Sequence, residues 1–88
     1  MVSYSIEYTK QAVKDIELLK AAGLAEKAKH LVEIIKLDPF NCYPPYEKLV
    51  GDLSGAYSRR INIHHRLVYM VFEEEKIIRI LRMWTHYE

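Results

Sequence analysis

The chain has 88 residues, room for one domain and not two, and a domain of this size buries only about 60–65% of its unfolded surface. With 50% hydrophobic, 28% charged and 11% aromatic residues, few Gly and Pro and no low-complexity run, the composition argues against disorder. The formal net charge of +1 excludes a uniformly basic nucleic-acid binder, so any hold on a polyanion must rest on a local patch.

Val2, Tyr4, Ile6 and Tyr8 alternate with Ser3, Ser5 and Glu7, and this period of two predicts a first strand over Val2 to Tyr8 with one buried face. Thr9 then offers a hydroxyl suited to cap a helix. From Lys10 the apolar residues Ala12, Val13, Ile16 and Leu19 recur at helical spacing. Gly23 follows the last of them, where a left-handed cap is least strained. Leu24, Ala28, Leu31 and Ile35, with Ala25 and Val32 beside them, predict a second helix at once, and the short break implies a helical hairpin. Asp38-Pro39 stops it, because the residue before proline avoids the α region.

Phe40 to Gly55 reads as a long loop, punctuated by Pro44-Pro45, Gly51-Asp52 and Ser54-Gly55 and pinned by Phe40, Tyr43, Tyr46, Leu49 and Leu53. Three strands close the chain. Ala56 to Ile63 and His65 to Phe72 are expected to form a hairpin turning near Asn62–His65. Glu73-Glu74-Glu75 is a polar turn, and Lys76 to about Thr85 is apolar on both faces, as a central strand would be. The predicted architecture is α+β, in the order β-α-α-β-β-β, with one sheet packed on a helical hairpin and its other face partly open.

Leu53 to Tyr69, LSGAYSRRINIHHRLVY, packs Arg59, Arg60 and Arg66 with His64 and His65 between two strand-like runs. Charged side chains in a strand are expected to face solvent, a partner or a ligand, since unpaired burial costs several kcal/mol. The local positive charge suits a phosphate-bearing polymer. There is no nucleotide-type glycine-rich loop and no Ser-His-Asp context. One cysteine, Cys42, with His30, His64, His65 and His86 makes no zinc spacing and no internal disulfide, so no cofactor or metal is expected and a reducing compartment is the natural reading. With no signal peptide and no apolar run of about 18 residues, the expected location is the cytoplasm, away from membranes.

What remains is Glu47 on the long loop, the hairpin arginines, and His86-Tyr87 near the C-terminus. A carboxylate, an arginine and an imidazole are what metal-free RNA cleavage requires: a base for the 2′-hydroxyl, a cation for the phosphorane, and an acid for the departing 5′-oxygen. Composition alone makes this a suggestion. Taken singly, Glu47 is an ordinary solvated acid and His86 an ordinary terminal residue.

The run LSGAYSRRINIHHRLVY resembles the signature of the Txe/YoeB family, ribosome-dependent mRNA-cleaving toxins of bacterial type II toxin–antitoxin pairs. The family pattern is roughly L-S-G-x-[WY]-S-R-R-I-x-x-x-H-R-L-V-Y, with an upstream Glu and a C-terminal His-Tyr. This chain matches it at Leu53, Ser54, Gly55, Tyr57, Ser58, Arg59, Arg60, Ile61, His65, Arg66, Leu67, Val68 and Tyr69, and again at Glu47 and His86-Tyr87. The likeness is close from Pro39 to Tyr87. The N-terminal helices match in length and pattern rather than in residues.

The resemblance implies the RelE/ParE-like toxin fold and a single domain over the whole chain. It implies Glu47 as general base, Arg66 on the scissile phosphate and His86 as general acid. Tyr87 would orient substrate, Arg59 and Arg60 would hold RNA backbone, and Lys48 would stand beside the acid. His65 matches the motif and is open between a hydrogen-bonding structural role and a substrate contact. Two positions depart from the family. Val50 stands where a lysine is common, and Glu88 follows the terminal tyrosine, which leaves the role of Tyr87 less fixed. The implied partners are a cognate antitoxin, the ribosome and mRNA, with a homodimer or an antitoxin-bound heterotrimer both open. ParE-like gyrase-binding toxins share the fold without needing Glu47, Arg66 and His86. A catalytically inactive RNA- or antitoxin-binding module is the third reading.

Overall fold

A computed structural model describes residues 3–41, 45–49, 51, 55–62 and 65–84. Strand β1 (Ser5–Tyr8) hands over to helix α1 (Lys10–Ala21) at Thr9. The Thr9 hydroxyl accepts from the Ala12 amide at 3.1 Å and donates to the Leu81 carbonyl at 2.9 Å, so the cap also ties the helix to the sheet. At the other end Gly23 takes φ +75°, the Leu24 amide reaches the Leu19 carbonyl and the Gly23 amide reaches that of Lys20. This is the Schellman arrangement, which lets helix α2 (Ala25–Leu37) follow almost immediately. Asp38 ends α2 as expected, its carboxylate accepting from the Phe40 amide at 3.1 Å.

Four further strands follow: β2 (Tyr46–Lys48), β3 (Ala56–Arg60), β4 (Arg66–Phe72) and β5 (Ile77–Arg82). The sheet order is β1-β5-β4-β3-β2, with only β1 and β5 parallel. The predicted hairpin is β3–β4, and the Ile61 amide donates to the His65 carbonyl at 2.8 Å across its turn. Strand β5 is paired on both sides, as its apolar content suggested, but Arg79 is exposed on it, so it is not apolar on both faces.

Several boundaries differ from the sequence reading: the first strand begins at Ser5, the hairpin strands end at Arg60 and resume at Arg66, and the last strand runs from Ile77 to Arg82. The expected first residue of β1, Val2, lies outside the described residues. The long connection is not structureless, because Tyr46–Lys48 forms an edge strand against β3, closed by the Leu49 amide on the Ala56 carbonyl at 2.9 Å. Three residues after a proline pair carry too little periodicity to read as a strand; the neighbouring β3 supplies the pairing.

The core lies between the helices and one face of the sheet. Ala12 and Leu19 of α1 and Ala28, Leu31, Val32 and Ile35 of α2 pack on Leu67, Tyr69, Ile78 and Ile80. Alternation then puts Glu47, Ser58, Arg60 and Arg66 on the opposite face, with Arg60 at the strand end also bordering a cavity beside Glu26, Lys27, His30 and Leu31 of α2.

Candidate active site on the open sheet face

Glu47 and Arg66 come from the edge strand and the start of β4, with β3 between them. The register sets Glu47 opposite Ser58 and Arg60 opposite Arg66, which places all four on one face. Arg66 reaches across β3. Its Nη1 donates to Glu47 Oε1 at 2.5 Å and to Ser58 Oγ at 3.1 Å. The Glu47 side chain is 64% exposed and that of Arg66 17%, so the carboxylate meets solvent while the guanidinium is held. Ser58 is buried. Its place in the motif was visible, but its role as the second partner of Arg66 follows only from strand register.

The neighbouring arginines part company. Arg60 is exposed and, among the described residues, forms no ion pair. Arg59 is 0% exposed, contrary to the expectation that it holds RNA backbone. Its guanidinium donates to the Tyr69 hydroxyl at 3.0 Å and to the Pro39 and Asn41 carbonyls at 3.0 and 2.7 Å. Tyr46 lies under it in a cation–π contact at 5.2 Å, and Phe40, Tyr46, Tyr57 and Tyr69 pack as neighbouring rings. Burial raises the Tyr69 pKa, with Arg59 acting in the opposite direction, so the phenol stays protonated and donates to Pro39 at 2.8 Å. Arg59 is therefore an internal clamp on the α2–β2 connection. Its burial could not be read from two adjacent arginines, because alternation sends one in and one out.

Lys48, expected beside the acid, and His65, left open between two roles, are also placed. Lys48 is exposed but sits opposite Tyr57, so alternation directs it to the other face from Glu47. His65 is only 8% exposed, and its ring stacks on Trp84 with centroids 3.8 Å apart and planes 20° apart. Of its two open roles, this contact supports the structural one. His86 and Tyr87 lie outside the described residues, as do Val50 and Glu88.

The segment before His86 is held from two directions. Besides the His65–Trp84 stack, the buried Asp15 of α1 accepts from Arg82 Nε at 2.9 Å, the Met83 amide at 3.0 Å and the Trp84 amide at 3.3 Å, all on Oδ2. Gln11 Nε2 donates to its Oδ1 at 3.2 Å. Burial alone would raise the Asp15 pKa. The hydrogen bonds from Arg82, Met83 and Gln11, with the charge of Arg82, outweigh that, and the net direction is down.

Among the described residues no group of three or more His, Cys, Asp or Glu is placed to hold a metal ion. A cavity of about 250 Å³ is lined in part by Ile16, Leu19, Ala28, Val32 and Met83, and by none of Glu47, Ser58, Arg60 and Arg66. Glu47 and Arg60 are exposed, Ser58 is buried and Arg66 is mostly buried, so a carboxylate that meets solvent, and can take a proton, stands beside a held cation. No helix is long and apolar enough to cross a membrane among the described residues.

The chain matches the model of the YoeB-like toxin of bacterial type II toxin–antitoxin systems over residues 8–87. It is 35% identical over 85 residues to toxin YoeB of Mycobacterium bovis, covering 94% of this chain and 98% of the relative. Among solved structures it resembles a YoeB/ParE toxin from Agrobacterium tumefaciens, with a TM-score of 0.85, 30% identity and coverage of 94% and 99% of the two chains. It also resembles a chain of the heterotetrameric YoeB–YefM toxin–antitoxin complex from Staphylococcus aureus, with a TM-score of 0.80, 32% identity and coverage of 96% and 98%. The fold is that of the RelE-type toxins, and the chain belongs to the YoeB family of toxins of bacterial type II toxin–antitoxin systems.

Proposed function

We propose that this toxin is an endoribonuclease that cuts mRNA on the ribosome. The observation that carries the reading is the joining of Glu47 and Arg66, 19 residues apart in sequence, on an open sheet face. A phosphate arriving at Arg66 replaces the exposed Glu47 carboxylate as partner of the guanidinium. Glu47 is then free to take the proton of the 2′-hydroxyl as that oxygen attacks phosphorus. Arg66, held by Ser58, faces the charge that grows on the phosphorane oxygens. The bond to the 5′-oxygen breaks and His86 supplies the proton that oxygen takes up. Tyr87 orients the substrate beside it, and Arg60 contacts RNA backbone. The products are a 2′,3′-cyclic phosphate and a 5′-hydroxyl, with no metal required.

The ribosome supplies orientation that a small domain of net charge +1 lacks. The natural regulator is a cognate antitoxin, as YefM is bound to YoeB in the Staphylococcus complex; for this toxin, a disordered amphipathic antitoxin segment would fold on it and cover or displace its C-terminal residues. Primer extension on an mRNA in a purified translation system, with and without ribosomes, tests the reading. The expected result is cuts only with ribosomes, leaving cyclic phosphate ends and unaffected by a chelator when the ribosomes are kept intact. Intact message alongside loss of gyrase supercoiling would replace this reading with a gyrase-directed one.

A further inference from the structure

Glu47 stands in the middle of β2, a strand of three residues with a neighbour on one side only. Backbone pairing alone specifies the register of so short a strand weakly, and a slip of one residue carries Glu47 to the other face. The residue before it decides the matter. Tyr46 pairs with Arg59 in register and sends its ring to the side opposite Glu47. There the Arg59 guanidinium lies 5.2 Å from the ring centroid, Tyr57 meets the ring edge-on at 5.7 Å and Phe40 at 6.0 Å. Phe40 and Tyr57 also pack on each other at 5.3 Å. Arg59 is 0% exposed and is itself fixed by Tyr69, Pro39 and Asn41. A chain of held groups therefore ends at the residue next to Glu47.

Glu47 has no comparable anchor of its own. Its side chain is 64% exposed and, among the described residues, Arg66 is its only ion-pair partner. A phosphate that takes over the Arg66 guanidinium removes that contact just when the carboxylate has to receive a proton. From then on the backbone of β2 places the carboxylate, and β2 is held by the Tyr46 ring and by the Leu49 amide on the Ala56 carbonyl at 2.9 Å.

We propose that Tyr46 is a positioning residue for Glu47: its ring, seated against Arg59, Phe40 and Tyr57, locks the register of β2 and so keeps the carboxylate on the face of Arg66. Tyr46 lies on the other side of the sheet and acts only through the residue beside it. The catalytic consequence rests on the endoribonuclease reading, whereas the locking of β2 is measurable without activity.

The experiment uses the full chain carrying Tyr46→Ala, Tyr46→Phe or Phe40→Ala, at a temperature where melting curves show each variant folded. Amide hydrogen exchange is followed by NMR at Leu49, whose amide closes β2 on β3, with the amides of β5 as the internal reference. Cleavage of ribosome-bound mRNA is measured at saturating and limiting ribosome concentration. The expected result is Leu49 exchange at least about tenfold faster in Tyr46→Ala while β5 is unchanged, a smaller change in Phe40→Ala, and Tyr46→Phe close to wild type because the contacts are made by the ring. In Tyr46→Ala, kcat falls about 10–100-fold with KM changed less than about threefold, because positioning acts on the reacting geometry rather than on ribosome binding. The loss is non-additive: Tyr46→Ala slows the wild type but leaves Glu47→Ala no slower. Unchanged Leu49 exchange in Tyr46→Ala overturns the proposal whatever the activity, and so does an additive loss of rate or a Tyr46→Phe variant as slow as Tyr46→Ala. If the wild type fails to cut while Leu49 exchange still responds, the locking of β2 by Tyr46 stands and the endoribonuclease reading falls.

Discussion

Adjacent residues in one strand carry opposite duties. Arg59 is inside, with its donors spread over Tyr69, Pro39 and Asn41; Arg60 is outside, on the face of Arg66. Arg59→Ala strands several buried acceptors at once and is expected to destabilise by about 2–4 kcal/mol, lowering the melting temperature by roughly 10 °C or more. Arg60→Ala is expected to shift stability by less than about 0.5 kcal/mol while weakening ribosome or RNA binding and reducing its salt slope by about one. Melting curves and salt titrations of the two variants, side by side, test the division.

Asp15 carries a pH signature of known sign. Its folded pKa is depressed, so its contribution is complete above the unfolded value of about 3.9 and is lost as pH falls through the lower folded value. Denaturant unfolding of wild type and Asp15→Asn at pH 7 and pH 3 checks this: the gap between them should be clear at pH 7 and narrow at pH 3. A gap that widens in acid would reverse the assignment.

At the scale of elements, Ser58 on β3 links the edge strand to β4 through Arg66. Ser58→Ala removes a small hydroxyl from a buried site. It is expected to change stability by about 1 kcal/mol and to lower cleavage about tenfold, since Arg66 loses one of its two partners. Single-turnover cleavage beside a denaturation curve separates the two effects. Both helices and the β3–β4 hairpin were legible in the sequence for local reasons: a threonine cap at Thr9, a left-handed Gly23, a helical apolar period, and two strand-like runs on either side of a turn near Asn62–His65. Strand β2 was not, because three residues take their conformation from the strand beside them. The same cause hid the inward turn of Arg59, the placing of Lys48 on the face opposite Glu47 and the stack of His65 on Trp84. Glu47 and Arg66 were named from the motif, but their contact is a product of register.

Over the whole molecule, the helices cover one face of the sheet, and the other carries Glu47, Ser58, Arg60 and Arg66 beside the buried Ala56 and Val68. A narrow pocket would exclude a nucleic acid; an open face with one fixed cation admits it. Substrate orientation on such a face has to come from outside, which is why ribosome dependence belongs to the proposal. The most direct test is single-turnover cleavage on ribosomes programmed with one mRNA, comparing wild type with Glu47→Ala and Arg66→Ala, each confirmed folded. The account predicts ribosome-dependent cuts by wild type and a loss of at least about 100-fold in each variant. Cleavage by either variant within a few-fold of wild type would contradict the assignment of this sheet face as the catalytic centre.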